Sequence, residues 1–238
     1  MVITSTANNQ VKEIKKLKKE KGFLFLDNPK LIDEAVESGL EPTYVVFEDG
    51  KECENLKKFN FLTVSKEVFK TLSSTESSQG ICAVVKPKNF EFEMPKHNFL
   101  VLDEVQDPGN VGTLIRSALA FGFNEIYLIN CASKNNEKVV RSTMGAVFKT
   151  KIFELSRIEF VEKFKGKTNL YCGEMGGENI ENVSFEKPCG IIVGNEGNGV
   201  SKELKQISKH IAIPMKKNIE SLNAGVAGSI LMFEIYKK

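Results

Sequence analysis

Histidine and arginine are scarce in this sequence: His97 and His210 are the two histidines, and Arg116, Arg141 and Arg157 are the three arginines. A serine or cysteine hydrolase needs an imidazole beside its nucleophile. Neither histidine offers one, because His97 lies in a proline-containing stretch and His210 is read as preceding an apolar strand. The five cysteines, Cys53, Cys82, Cys131, Cys172 and Cys189, are scattered, with no pair at C-x-x-C spacing. That pattern speaks against a zinc site or a thioredoxin-like motif and reads as buried, reduced thiols. No metal is expected. No run approaches the roughly 18 apolar residues of a membrane span. The lysine-rich start, MVITSTANNQVKEIKKLKKEK, lacks the apolar stretch of a secretory signal, so a cytoplasmic protein is expected.

Strong net charge is also missing. The formal balance is +2 over 238 residues, too small for global electrostatics to announce a nucleic-acid partner. Charge is nonetheless uneven. Lys12, Lys15, Lys16, Lys18, Lys19 and Lys21 face only Glu13 and Glu20 in one short segment. Two readings stand side by side: a solvated helix face, or a patch that contacts phosphates with salt-dependent, sequence-blind affinity.

What is present is an alternation of strands and helices. Val11, Ile14 and Leu17 recur at helical spacing, and 23–26 reads as a short strand. Asn28 offers an N-cap with Pro29 at the first helical position, and Gly39 a stop. Residues 44–47, 59–64 and 81–85 read as strands, with Ser65 capping a short helix between the last two. The segment 86–98, KPKNFEFEMPKHN, has two prolines and no periodicity, and marks a boundary. The expected organisation is a domain at 1–86, a linker at 87–98 and a second domain at 99–238. In the second, FLVLDEV, a helix at 111–121 and a strand at 125–129 make a βαβ unit, which implies an α/β fold with a mainly parallel sheet.

Chemistry in such folds gathers at the carboxyl ends of strands, and three loops there have distinctive composition. In DEVQDPGNVGTLIRSALAFG, Asn110 sits at an N-cap position before a helix, and Arg116 lies off the apolar stripe of Val111, Leu114, Ile115, Ala118 and Leu119. GNEGNGVS, 194–201, fits neither nucleotide fingerprint: Val200 occupies the P-loop lysine position, and the glycine spacing is G-x-x-G-x-G. What remains is a backbone open to close approach, with Glu196 at its centre. In IAIPMKKNIESLNAGVAGSILMFEIY, Ser221 is a good N-cap for a final helix from Leu222, whose apolar face carries Val226, Ile230 and Phe233. Its early glycines each cost roughly 1 kcal/mol of helix stability, a sign of close approach by another backbone or a partner subunit, or of core packing.

D-P-G-N-V-G-T-L-I-R, I-I-V-G-N-E-G-N-G-V and I-P-M with S-L-N, in that order, resemble the three motifs of the SpoU/TrmH family of RNA ribose 2′-O-methyltransferases, and K-V-V-R-S-T-M-G-A-V-F resembles its inter-motif region. The resemblance spans most of 99–238. It implies a SPOUT-type fold whose C-terminal segment forms a deep trefoil knot, S-adenosylmethionine as cofactor, RNA as substrate and a homodimer. It places cofactor binding at Gly194, Ile213 and Leu222. The general base of the family corresponds to Arg116, although a charged guanidinium has no acceptor lone pair. Glu196 is the other candidate, with Asn110, Ser221 and Asn223 positioning the ribose and the loops. The first domain resembles, more loosely, a ribosomal-protein-like RNA-binding domain, from which it departs at Leu26-Asp27-Asn28-Pro29 and in having no arginine. Ribosomal RNA is the expected substrate. A tRNA ribose methyltransferase and a non-catalytic RNA- or ribosome-binding factor are the alternatives.

Overall fold

The computed structural model describes residues 1–20, 22–75, 78–216 and 221–238; Lys21 of the basic run and Glu76 and Ser77 of the polar stretch after Ser73 lie outside them. The chain divides into two compact units, Met1–Asn89 and Phe90–Lys238.

The first unit contains β1 (Val2–Ile3), α1 (Asn9–Leu17), β2 (Leu24–Leu26), α2 (Pro29–Glu37), β3 (Pro42–Glu48), β4 (Phe61–Val64), α3 (Lys66–Lys70) and β5 (Ile81–Val85). Its sheet runs in the order β1-β4-β3-β5-β2. The first three strands are parallel, and β5 runs antiparallel to both β3 and β2. The helix starts follow from side-chain capping. Asn8, Asn28 and Ser65 accept from the backbone N–H groups of Gln10, Lys30 and Val68, respectively. Val11 and Ile14 of α1 are buried in a core with Phe25, Val46, Phe69 and Val84, with Leu17 packed against it. The lysine run is thereby split. Lys12, Lys16 and Lys19 are exposed, whereas Lys18 donates to the Leu72 carbonyl at 2.6 Å and sits 4.0 Å above the Phe25 ring.

The second unit contains β6 (Phe99–Asp103), α4 (Pro108–Ala120), β7 (Glu125–Ile129), α5 (Glu137–Thr143), β8 (Lys151–Leu155), α6 (Arg157–Phe164), β9 (Asn169–Asn179), β10 (Cys189–Gly194), α7 (Lys202–Lys205), β11 (Lys209–Ala212) and α8 (Ala224–Lys237). Its six strands, in the order β11-β9-β10-β6-β7-β8, are all parallel. A parallel sheet must be covered on both faces, and every residue of β6 is buried. One face packs against α4 and α8 through Leu114, Ile115, Leu231 and Ile235. The other packs on Phe160 and Phe164 of α6. Phe92, from the proline-containing segment, joins that second layer with its ring 5.9 to 6.4 Å from those of Phe164, Phe153 and Tyr127. No helix among the described residues is long and apolar enough to cross a membrane.

Several local expectations are corrected. Asp107, not Asn110, caps α4: its side chain accepts from the Asn110 N–H, and Pro108 takes the first helical position. Asn223, not Ser221, caps α8, accepting from the Val226 N–H, so Leu222 precedes the helix. His210 lies inside β11 rather than before a strand. The expected apolar face of α8 largely points away from the core: Val226 and Phe233 are 48% and 43% exposed, while Ala224, Gly225, Gly228, Leu231, Met232 and Ile235 are buried. The glycines explain the inversion. A Cβ added at Gly228 would lie 2.3 Å from Leu114 Cδ2 and 2.8 Å from Val193 Cγ2. Their cost in helix propensity therefore allows α8 to press closely onto α4 and β10.

Candidate functional site

In an open parallel sheet, neighbouring strands whose chains lead off in opposite directions leave a crevice beyond their carboxyl ends. Here that pair is β6 and β10, since β6 continues to β7 on one side and β10 borders β9 on the other. The loops after β6 and β10 are two of the three singled out from the sequence, and they are tied together.

Glu196 makes most of the tie. Its Oε1 accepts from Asn110 Nδ2 at 2.9 Å and from the Asp107 N–H at 3.3 Å, and its Oε2 accepts from the Gln106 N–H at 3.4 Å. Burial pushes this carboxyl up, but the hydrogen bonds from Asn110 and the backbone more than offset it, holding Glu196 below the usual carboxylate range. Asn195 adds a second tie, Nδ2 donating to the Glu104 carbonyl at 2.9 Å, while its Oδ1 accepts from the N–H groups of Gly197 and Asn198. Asn195 and Gly199 also exchange backbone hydrogen bonds of 3.0 and 2.9 Å. The turn is so tight that a Cβ on Gly194 would fall 2.2 Å from the Gly199 carbonyl carbon. Only glycine fits there.

Beneath the loops, the buried Asp103 accepts from the Ser201 N–H at 2.7 Å and from Arg157 Nη2 at 3.3 Å. Arg157 also reaches Glu104 at 2.6 Å, so this arginine braces the crevice. Glu104 itself has φ of +60°, a strained conformation of the kind that persists only where the surroundings enforce it.

The third segment completes the walls. A cavity of about 570 Å³ is lined by residues 192–200 and 211–213, by Ser221, Leu222 and Asn223, and by Ala224, Ala227 and Leu231 of α8. It brings together Gly194, Glu196, Ile213, Ser221, Leu222 and Asn223. Asn110 and Arg116 are not among its described lining. Asn110 is buried behind it: a Cβ on Gly225 would sit 3.3 Å from Asn110 Oδ1 and 3.1 Å from Asn223 Oδ1. Arg116 is exposed on α4, one turn beyond Thr113, whose Cγ2 would lie 3.3 Å from that same Cβ.

Two features escape the sequence reading. On the far wall, Glu174 and Lys205 line the cavity and form an ion pair, and His210 Nδ1 stands 2.9 Å from Glu174 Oε2. The i, i+2 spacing of Cys172 and Glu174 is the only trace of this cluster in the sequence. On the outside of α4 and α8, Phe121 stacks obliquely on Phe233 and Tyr236 with centroids 5.6 and 5.9 Å apart, and Tyr236 is 62% exposed.

The pattern of the SpoU rRNA Methylase family matches residues 97–233, and that of the MRM3-like substrate binding domain matches residues 8–83. The chain belongs to the SpoU rRNA methylase family. The 23S rRNA (guanosine(2553)-2′-O)-methyltransferase RlmP of Bacillus subtilis is 29% identical, over 98% of each chain. An uncharacterized tRNA/rRNA methyltransferase of Synechocystis sp. is also 29% identical, over 98% of this chain and 92% of that protein. Among solved structures, the AdoMet-bound rRNA methyltransferase of Sinorhizobium meliloti shares the fold with a TM-score of 0.88 and 24% identity, over 100% of this chain and 97% of that one.

Proposed function

We propose that this protein transfers the methyl group of S-adenosylmethionine to the 2′-oxygen of a ribose in RNA, with ribosomal RNA as the substrate. The observation that carries this reading is a cavity at the crossover of a parallel sheet, walled by two of the motif segments and with the remaining one tied to them through Glu196, in a chain that belongs to a family of rRNA methylases. A relative that matches nearly end to end is named for that reaction on 23S rRNA.

The residues fit the cofactor. At about 570 Å³ the cavity falls in the range of small-molecule sites, about 300–1,000 Å³. Ile213, Leu222 and Leu231 offer an apolar wall, and the 194–200 backbone lies open beside Gly194, where any side chain would clash. Gly194, Ile213 and Leu222 are assigned to hold the cofactor, which supplies a methyl group already activated by its sulfonium. The protein has then to orient the ribose oxygen and dispose of its proton.

Glu196 is assigned to holding the loops together rather than to proton abstraction. Both its oxygens are engaged by donors, and a carboxyl held below its usual range is a weak base. Asn110, Ser221 and Asn223 set the edge over which the ribose is laid. Arg116, with five donors and no acceptor, grips the ribose oxygen or the adjoining phosphate at the exposed rim, favouring the deprotonated nucleophile, whose proton passes to solvent.

Residues 1–86 are assigned to RNA binding, through the exposed Lys12 and Lys16 of α1 and Lys19 just beyond it. Residues 87–98 are assigned as linker and 99–238 as the methyltransferase domain, with its C-terminal segment in the family's trefoil knot. That last assignment draws on residues 211–213 and 221–224 walling the same cavity as 194–200. The outward stripe of Phe121, Phe233 and Tyr236 supports a homodimer, and a cytoplasmic location is assigned with it.

The test is transfer of labelled methyl from S-adenosylmethionine to unmodified ribosomal RNA and to tRNA, with the wild type beside Arg116→Ala. Alkali-resistant label at one linkage in ribosomal RNA, reduced at least about 10²-fold in the variant with cofactor affinity unchanged, is the expected result. Label confined to tRNA would reassign the substrate. Cofactor binding without label in any RNA would sink the catalytic reading, and near-normal turnover of the variant would remove Arg116 from the mechanism.

A further inference from the structure

The Cys172, Glu174 and His210 cluster follows from strand pairing. β9 and β11 are parallel, with His210 directly opposite Cys172, and Glu174 is two residues further along β9, on the same face as Cys172. The pairing register shifts between His210 and Ile211, an irregularity of the kind that re-aims a side chain. A thiol, a carboxylate oxygen and an imidazole nitrogen thus come within 4.8 Å of one another.

The hydrogen bonds of His210 make the cluster more than a coincidence of donors. Its Nε2 lies 3.1 Å from the carbonyl oxygen of Lys205. A carbonyl can only accept, so Nε2 carries a hydrogen. Nδ1 then faces Glu174 Oε2, another acceptor, at 2.9 Å. Two lone pairs at that separation repel unless a cation is shared between them, either a proton on Nδ1 or a metal ion. The buried sulfur of Cys172 is the third donor beside them.

We propose that Cys172, Glu174 and His210 form a binding site for a divalent ion of the zinc class in the wall of the cavity. Thiolate, imidazole and carboxylate together suit zinc, and cobalt as its substitute, rather than the hard ions magnesium and calcium. The surroundings match those of metal-binding histidines and carboxylates. The second nitrogen of His210 is oriented by a backbone carbonyl, and the second oxygen of Glu174 is held by Lys205 Nζ. Tetrahedral zinc places its donors about 3.5 Å apart, so side-chain rotation of about 1 Å closes the site. Three protein donors leave a fourth position, and because Glu174 lines the cavity that position is open to water or to a cavity ligand. Loading takes the proton from the thiol to solvent as the sulfur–metal bond forms.

The experiment is a titration of the reduced, chelator-treated full-length chain with Co²⁺ alone, followed by absorbance. The expected result is one equivalent bound, intense visible bands of four-coordinate cobalt, a near-ultraviolet thiolate-to-cobalt band, and displacement of all of these by Zn²⁺. Cys172→Ser should abolish the near-ultraviolet band. His210→Gln and Glu174→Gln, at partly exposed positions where the fold tolerates change, should each weaken binding at least about 10-fold. The proposal is overturned if the wild type shows no thiolate band, if the band survives Cys172→Ser, or if neither His210→Gln nor Glu174→Gln alters the affinity. Neither S-adenosylmethionine nor RNA enters the measurement, so its outcome is separate from that of the methyl-transfer assay.

Discussion

The two units are built from the same alternation of strand and helix, yet they place their functional groups differently. In the second unit all six strands point one way. Helices cover both sheet faces over its central strands, and beyond the carboxyl ends of β6 and β10 lie Glu196, Asn110 and Asn223. In the first unit β5 runs against β3 and β2, so strand ends of both kinds fall at each edge of the sheet. Its distinctive feature is instead the outer face of α1 and the turn after it, with Lys12, Lys16 and Lys19 exposed. A site that must exclude water and hold atoms in place needs the buried crossover of a parallel sheet. A surface that only has to meet phosphates needs no more than a row of cations on a well-anchored helix.

This contrast can be broken at several points. The largest effect is expected at the crevice: Gly194→Ala forces a methyl group into the Gly199 backbone. A strain of about 1–3 kcal/mol should weaken S-adenosylmethionine binding by about 5- to 150-fold, as read by calorimetry, with RNA binding by the first unit intact. Equal loss of both would show that the two units do not divide the work. Next, Lys12→Ala, Lys16→Ala and Lys19→Ala combined should lower RNA affinity and flatten its dependence on salt by about one logarithmic unit per phosphate-contacting lysine. An unchanged slope would make the α1 face merely solvated.

A smaller, pH-dependent effect is expected at Glu196. Its carboxyl titrates lower in the folded protein than in the unfolded chain. The stabilisation it gives the paired loops is therefore complete above the ordinary glutamate range and lost as pH falls through the depressed folded value. The protection of the Gln106 and Asp107 amides against exchange, taken relative to the intrinsic rate at each pH, should fall on acidification in the wild type, and Glu196→Gln should remove that dependence. An identical acid response in both proteins would discard the tie. The smallest effect is reserved for Asn28→Ala, which removes the cap of α2 at about 1 kcal/mol. Thermal unfolding of the first unit should shift down by a few degrees while cofactor affinity stays put.

Much of the architecture was legible because short-range signals sufficed. Asn28-Pro29 opens α2, and the strand Ile81–Val85 and the βαβ unit from β6 to β7 fall where apolar runs meet glycine and proline. The errors have local causes too. D-P-G-N holds two residues able to cap, and the fixed φ of Pro108 awards the position to Asp107. S-L-N holds two more, and Asn223 takes it. Helix α8 is apolar around most of its circumference, so periodicity could not identify its inner face; glycine contacts decided it. Strand β9 was unreadable because Gly173, Gly176 and Gly177 interrupt any alternation. The Cys172, Glu174 and His210 cluster depends on which strands lie side by side, information carried by no window of sequence.

The span of the cavity wall has a consequence in time as well as in space. Its lining runs from Gly173 to Leu231. Domains form in the order in which they are synthesised. The first unit is complete once Asn89 has left the ribosome, while the cavity cannot exist until Leu231 has emerged. During translation the chain can present its lysine-bearing helix to nucleic acid long before it has a pocket in which to hold a cofactor.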